Sequence, residues 1–235
     1  MAESYDILGI DFEDGDLNDW DAIEEEGSNT VIIESASPIH GSYSAKCTFD
    51  GINNLCFLRK VFSPELTEMY ARWYIRFPTG FSIDSGALGI GALEPSTGAG
   101  ICYLRCKIAN LSLDRLYYAT DSGYSYVSTD SFTFQLDTDY YIEYYFKQSS
   151  GADDGIVEAK INGTSVALVE NIDNDTLSVN RIEIGQTYSA VPSIGSTIIF
   201  DDLIINNATS GWPGAYSDGG GSIVPVIMHH RKLRQ

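Results

Sequence analysis

Histidine is scarce in this chain, with three residues in 235, and basic residues are few, 14 Lys and Arg against 33 Asp and Glu. No apolar run approaches the roughly 18 residues that cross a bilayer as a helix, so a membrane span is not expected. The formal net charge of −19 argues against a nucleic-acid partner, because phosphate binding needs a basic surface. None of Cys47, Cys56, Cys102 and Cys106 stands in the C-x-x-C spacing of a zinc site. Cys47 and Cys56 flank Asp50-Gly51-Ile52-Asn53, and a two-residue turn at Gly51-Ile52 would set them opposite each other. The start, Met1 to Asp11, lacks the basic and apolar regions of a secretory signal. Reduced, buried thiols are therefore expected. A Ser-His-Asp triad needs a placed histidine. His40 falls in a turn-like stretch, and His229 and His230 lie close to the C-terminus.

Helical periodicity is also missing. What the chain has throughout is period-2 alternation, the mark of half-buried strands. In Met69 to Phe77, Ala71, Trp73, Ile75 and Phe77 share one face and Tyr70, Arg72, Tyr74 and Arg76 the other. Tyr140 to Lys147 sets Ile142, Tyr144 and Phe146 against Tyr141, Glu143, Tyr145 and Lys147. Ten further short segments alternate in the same way, separated by turn-forming pairs such as Asp50-Gly51, Asp154-Gly155 and Asn162-Gly163. About a dozen such strands predict two stacked antiparallel sheets, an all-β sandwich. The sandwich is expected to occupy residues 1–207. Residues 208–235 read as a Gly-rich linker followed by an apolar and basic docking tail. In that tail Ile223, Val224, Val226 and Ile227 could add to a sheet edge, and Arg231, Lys232 and Arg234 supply charge. The tail makes a protein partner or a homo-oligomer an expectation.

Several stretches resemble concanavalin A-like, laminin G-like and related carbohydrate-binding jelly rolls. They are Asp11-Phe12-Glu13-Asp14-Gly15 with Trp20, His40 to Lys46, Tyr70 to Phe77, Tyr140 to Lys147 with Lys160-Ile161-Asn162-Gly163, and Phe200 to Ile205, in family order. The resemblance implies an antiparallel jelly roll. It also implies a structural Ca²⁺ held by Glu13 with Asp201 or Asp202, since calcium takes several hard oxygens. Simple alternation puts Asp202 on the side of Phe200 and Asp201 opposite, leaving open which faces such a site. Two decoys are set aside. Asp14, Asp16, Asn18 and Glu25 have EF-hand spacing, but Asp19 replaces the required glycine. Ser82 to Gly86 begins like an Asp-box turn but has Gly89 where the closing aromatic belongs.

The E-x-D-x-x-E strand of laminarinase-like glycosidases, which aligns two carboxylates for acid and nucleophile roles, is absent. The candidate ligand surface is instead a set of tyrosines and basic residues on the polar strand faces. Tyr70, Arg72, Tyr74, Arg76, Tyr103, Arg105, Tyr141, Glu143 and Tyr145 form its proposed floor, with Lys107, Arg115, Tyr117 and Lys147 in strands of the same kind. Aromatic faces stack on sugar rings and guanidinium forks match carboxylates, so an acidic glycan is the expected ligand, provided these strands are neighbours. The resulting expectation is a non-catalytic surface or binding module within a larger assembly such as a phage or virus particle. The alternatives are a purely structural virion or filament subunit, and a jelly-roll polysaccharide lyase or glycoside hydrolase. Among the last, a tyrosine-based lyase remains open.

Overall fold

The computed structural model describes residues 6–96, 100–107 and 110–216. Among them every regular element is a strand. In chain order these are β1 (Asp6–Ile10), β2 (Ala22–Glu25), β3 (Thr30–Glu34), β4 (Ser44–Thr48), β5 (Cys56–Leu66) and β6 (Glu68–Arg76). Then come β7 (Ile83–Ser85), β8 (Leu88–Glu94), β9 (Cys102–Cys106), β10 (Leu113–Thr120), β11 (Gly123–Ser128) and β12 (Asp139–Lys147). The last are β13 (Gly155–Ile161), β14 (Thr164–Ile172), β15 (Val179–Gln186), β16 (Val191–Pro192) and β17 (Thr197–Asn206).

Two antiparallel sheets carry the fold, as the alternation predicts. An eight-stranded sheet runs β14-β13-β12-β6-β17-β4-β3, with β1 paired to the second half of β17. A seven-stranded sheet runs β11-β10-β9-β8-β15-β5-β2. Their inner faces close on one core that includes Trp73, Tyr144, Phe146 and Phe200 from the first sheet and Leu58, Ile90, Leu104 and Ile184 from the second. All eight are nearly or fully buried, and burial of such side chains stabilises by roughly 1.5–3 kcal/mol each.

One polar group pins the sheets together. β8 carries a bulge at Gly91, where the register to β9 slips between Ile90 and Ala92. The slip leaves an amide and a carbonyl without ladder partners, and Tyr144 of the opposite sheet fills the gap. Its hydroxyl accepts the Leu104 amide at 2.8 Å and donates to the Ile90 carbonyl at 2.8 Å. Gly91 is required there: its φ is +63°, and a Cβ would stand 2.5 Å from the Trp73 ring.

Two sequence expectations change. The segment between Cys47 and Cys56 is no hairpin, because β4 and β5 belong to different sheets; the four thiols are free and buried. The strands holding Tyr103 and Arg105 are not neighbours of those holding Tyr70 to Arg76, since β9 and β6 lie in different sheets. The last strand among the described residues ends at Asn206. Residues 211–216 turn back over the eight-stranded sheet. The docking-tail residues Ile223, Val224, Val226, Ile227, Arg231, Lys232 and Arg234 lie outside the described residues.

Candidate functional site

The predicted platform divides between two outer faces. On the eight-stranded sheet, register sets Tyr70 opposite Tyr145, Arg72 opposite Glu143, Tyr74 opposite Tyr141 and Arg76 opposite Asp139. Tyr70 and Tyr145 stack at 4.3 Å, and Arg76 pairs with Asp139 at 2.5 Å. This floor is covered. Trp212 packs edge-on against Tyr70 and Tyr145, with the Lys160 ammonium 3.6 Å from its ring centre. The Gly214 amide donates to Glu143 at 2.9 Å, and the Gly214 carbonyl accepts from Arg72 at 3.0 Å. Tyr216 stacks on His40 at 4.3 Å, and its amide donates to the Tyr74 hydroxyl. Arg72 and Glu143 are thereby buried, at 2% and 1% exposure.

Beside this floor the turn histidine reaches the sheet. β17 changes partner from β4 to β1 at Asp201-Asp202, and Asp202 takes φ +47° there. The kink turns both carboxylates toward His40, where strict alternation would separate them. The His40 amide donates to Asp201 at 2.9 Å, and its ring Nδ1 lies 2.5 Å from Asp202. Burial opposes charge on His40, but the Asp202 hydrogen bond and the charges of Asp202, Asp201 and Asp139 outweigh it and raise its pKa. Burial, then the charge of Asp202, pushes the Asp201 carboxyl up to about 7.

Two buried carboxylates side by side suit a cation, and Asp201, Asp202 and His40 bring ligand atoms within 4.8 Å of one another. Glu13 is outside that group; its carboxylate accepts the Ser42 and Tyr43 amides instead.

The open face is on the seven-stranded sheet. β9 reads Tyr103-Leu104-Arg105 and β10 reads Arg115-Leu116-Tyr117, so antiparallel pairing sets Tyr103 opposite Tyr117 and Arg105 opposite Arg115. Two arginines directly opposite repel, and Asp114 offsets this. A bulge between Leu113 and Arg115 lets Asp114 hold Arg105 through a two-pronged pair, with Nε to Oδ1 at 2.9 Å. Both guanidiniums then converge on one phenol: Arg105 donates to the Tyr117 hydroxyl at 3.1 Å and Arg115 at 3.2 Å. Arg115 also lies 4.0 Å over the Tyr126 ring.

Tyr103 stacks on Tyr117 at 4.8 Å and on Tyr188 at 5.0 Å. Burial first, then the hydrogen bond to Tyr188, pushes the Tyr103 hydroxyl well above the ordinary phenol range. Tyr188 owes its place to Gly89 and Gln186. A Cβ on Gly89 would meet the Tyr188 Cβ at 2.5 Å. The buried Gln186 side chain accepts from Gly89 N and donates to the Tyr188 and Ala190 carbonyls. Beyond the tyrosines, Glu94 and Glu183 on the same sheet are held by Arg181 and Arg59. Residue-type reasoning places Tyr103 and Arg105 in the site but misses Tyr188, Asp114 and Tyr126. The reversed Y-x-R and R-x-Y on consecutive strands is the signal that could have separated this face from the other.

No protein-family model and no curated protein sequence matches the chain. Solved structures do. An endo-β-1,4-glucuronan lyase from the fungus Trichoderma reesei superposes with a TM-score of 0.66 at 15% identity, over 87% of this chain and 96% of that one. The sandwich is concanavalin A-like. The cellulose-induced protein Cip1 gives 0.64 at 20% identity, over 89% of this chain and all of its own. A marine PL-14 alginate lyase from Aplysia kurodai gives 0.60 at 12% identity, over 87% and 100%.

These likenesses overturn the expectation of a non-catalytic module. That expectation rested on the missing glycosidase carboxylates and the missing strand histidine, yet two of these three similar sandwiches are polysaccharide lyases by name. The lyase alternative carries forward.

Proposed function

We propose that the chain is a polysaccharide lyase that cleaves a uronate-containing glycan by β-elimination, with Tyr117 as the proton-transfer residue. The observation that carries this reading is the convergence of Arg105 and Arg115 on the Tyr117 hydroxyl, on an open aromatic face. Elimination from a 4-linked uronate requires three things: neutralisation of the C6 carboxylate, removal of the proton at C5, and a proton for the departing O4. Arg115, partly exposed at 35% of its side chain, offers N–H groups to the carboxylate. Acting as the base, the Tyr117 oxygen, which both guanidiniums reach, takes the C5 proton. The C5 electron pair forms the C4=C5 double bond, the C4–O4 bond breaks, and the proton passes from Tyr117 to O4. The enzyme returns to its starting state and no water is consumed.

Tyr188, which is exposed, offers a ring for stacking on the sugar. Positioned acid–base groups of this kind contribute roughly 10²–10⁴-fold in rate. Glucuronan and alginate are the substrates named for the similar structures, and they head the panel to be tried. Mass spectrometry of the products discriminates the chemistry. Elimination leaves an unsaturated non-reducing end, one water lighter than a hydrolytic product. Hydrolytic ends, or no cleavage of any polyuronate, would end the reading.

A further inference from the structure

The segment lying over the eight-stranded sheet satisfies its floor incompletely. Arg72 is 2% exposed, yet among the described residues its Nε has no hydrogen-bond partner, and neither has the buried Oδ1 of Asn206. A guanidinium binds a carboxylate best through two parallel N–H bonds. The covering segment supplies one carbonyl, Gly214 O, at 3.0 Å. Around Arg72 the floor has the parts of a sugar subsite: the stacked Tyr70–Tyr145 pair, the Lys160 ammonium and the Glu143 carboxylate.

We propose that this floor is a second binding site for a uronate-bearing oligosaccharide, and that residues 211–216 are its intramolecular competitor. The incoming sugar ring takes the position of the Trp212 indole over Tyr70 and Tyr145. Its carboxylate pairs with Nε and a terminal nitrogen of Arg72, and a hydroxyl replaces the Gly214 amide on Glu143. Release of the segment exposes Arg72 and Glu143 to water or ligand, both of which solvate them well, so the cover is displaceable. A ligand that must first displace it binds more weakly by the fraction of time the floor is open.

The ligand class rests on the lyase reading, but the site does not, so the test uses Y117F, which leaves this sheet untouched. Calorimetric titration of Y117F with oligoglucuronate and oligoalginate is compared with Y117F/W212A, tail intact. Loosening the cover should tighten binding by about tenfold, and Y216A should act in the same direction. Adding R72K, or K160A if R72K melts, should remove the gain. Unchanged affinity on W212A and Y216A, or a gain that survives both R72K and K160A, would overturn the proposal. Failure of the lyase reading would show instead as absence of unsaturated product from the wild type, a quantity these titrations do not register.

Discussion

The Tyr144 hydroxyl, carried by β12, accepts the backbone amide of Leu104 on β9, across the core, at 2.8 Å. Leu104 stands between Tyr103 and Arg105, so this bond fixes the strand that presents both of them to the open face. Phenylalanine at 144 keeps the packing but leaves the Leu104 amide and Ile90 carbonyl buried without that partner. Y144F should cost about 1–3 kcal/mol in denaturant unfolding. A loss near zero would mean that the bulge at Gly91 closes without the hydroxyl.

The two sheets are legible in the sequence because strand alternation is a local property. Ala71, Trp73 and Ile75 face the core, as their spacing dictates. Alternation identifies a polar face without saying to which sheet it belongs. That is why Tyr103 and Arg105 merged with Tyr70 to Arg76 into one platform that the strand order divides. Edge strands β2 and β11 escape notice because AIEE and GYSYVS have little apolar character to alternate. His40 escapes because a turn residue reaches a sheet face only through tertiary contacts, here with Tyr74 and Asp202. The cover by Trp212 to Tyr216 is hidden because a Gly- and Pro-containing stretch reads as linker.

Calcium should raise the thermal midpoint of the wild-type protein, because the carboxylates of Asp201 and Asp202 lie side by side and are buried, at 0% and 6% exposure. D202N should abolish the shift. Melting curves in chelator and in excess calcium that coincide for the wild type would remove calcium from the account.

Glu143 supplies a pH test of the covered floor. Burial raises its pKa despite the Gly214 hydrogen bond and the charges of Lys160 and Arg72. A folded-state pKa above the unfolded one gives stability that is fully present below the unfolded value and lost as pH rises through the folded value. E143Q should therefore gain on the wild type at neutral pH, and the difference should shrink toward pH 4 (about the unfolded carboxylate value). A variant weaker at neutral pH than in acid would show that Arg72 and Lys160 outweigh burial.

All four cysteines are buried, and burial pushes the Cys102 thiol up to about 12. The thiolate is the reactive form, so the native protein should resist alkylation at neutral pH and take up four labels only when unfolded. Rapid labelling of the native state would place a thiol outside the core.

The central claim is that Tyr117, between Arg105 and Arg115, performs the elimination. The decisive measurement is the initial rate of unsaturated-uronate formation from the best polyuronate, in wild type and in Y117F of equal thermal midpoint. The account predicts product from the wild type and a kcat lower by roughly 10²–10⁴ in Y117F. A Y117F rate equal to that of the wild type, or no unsaturated product from either, would contradict it.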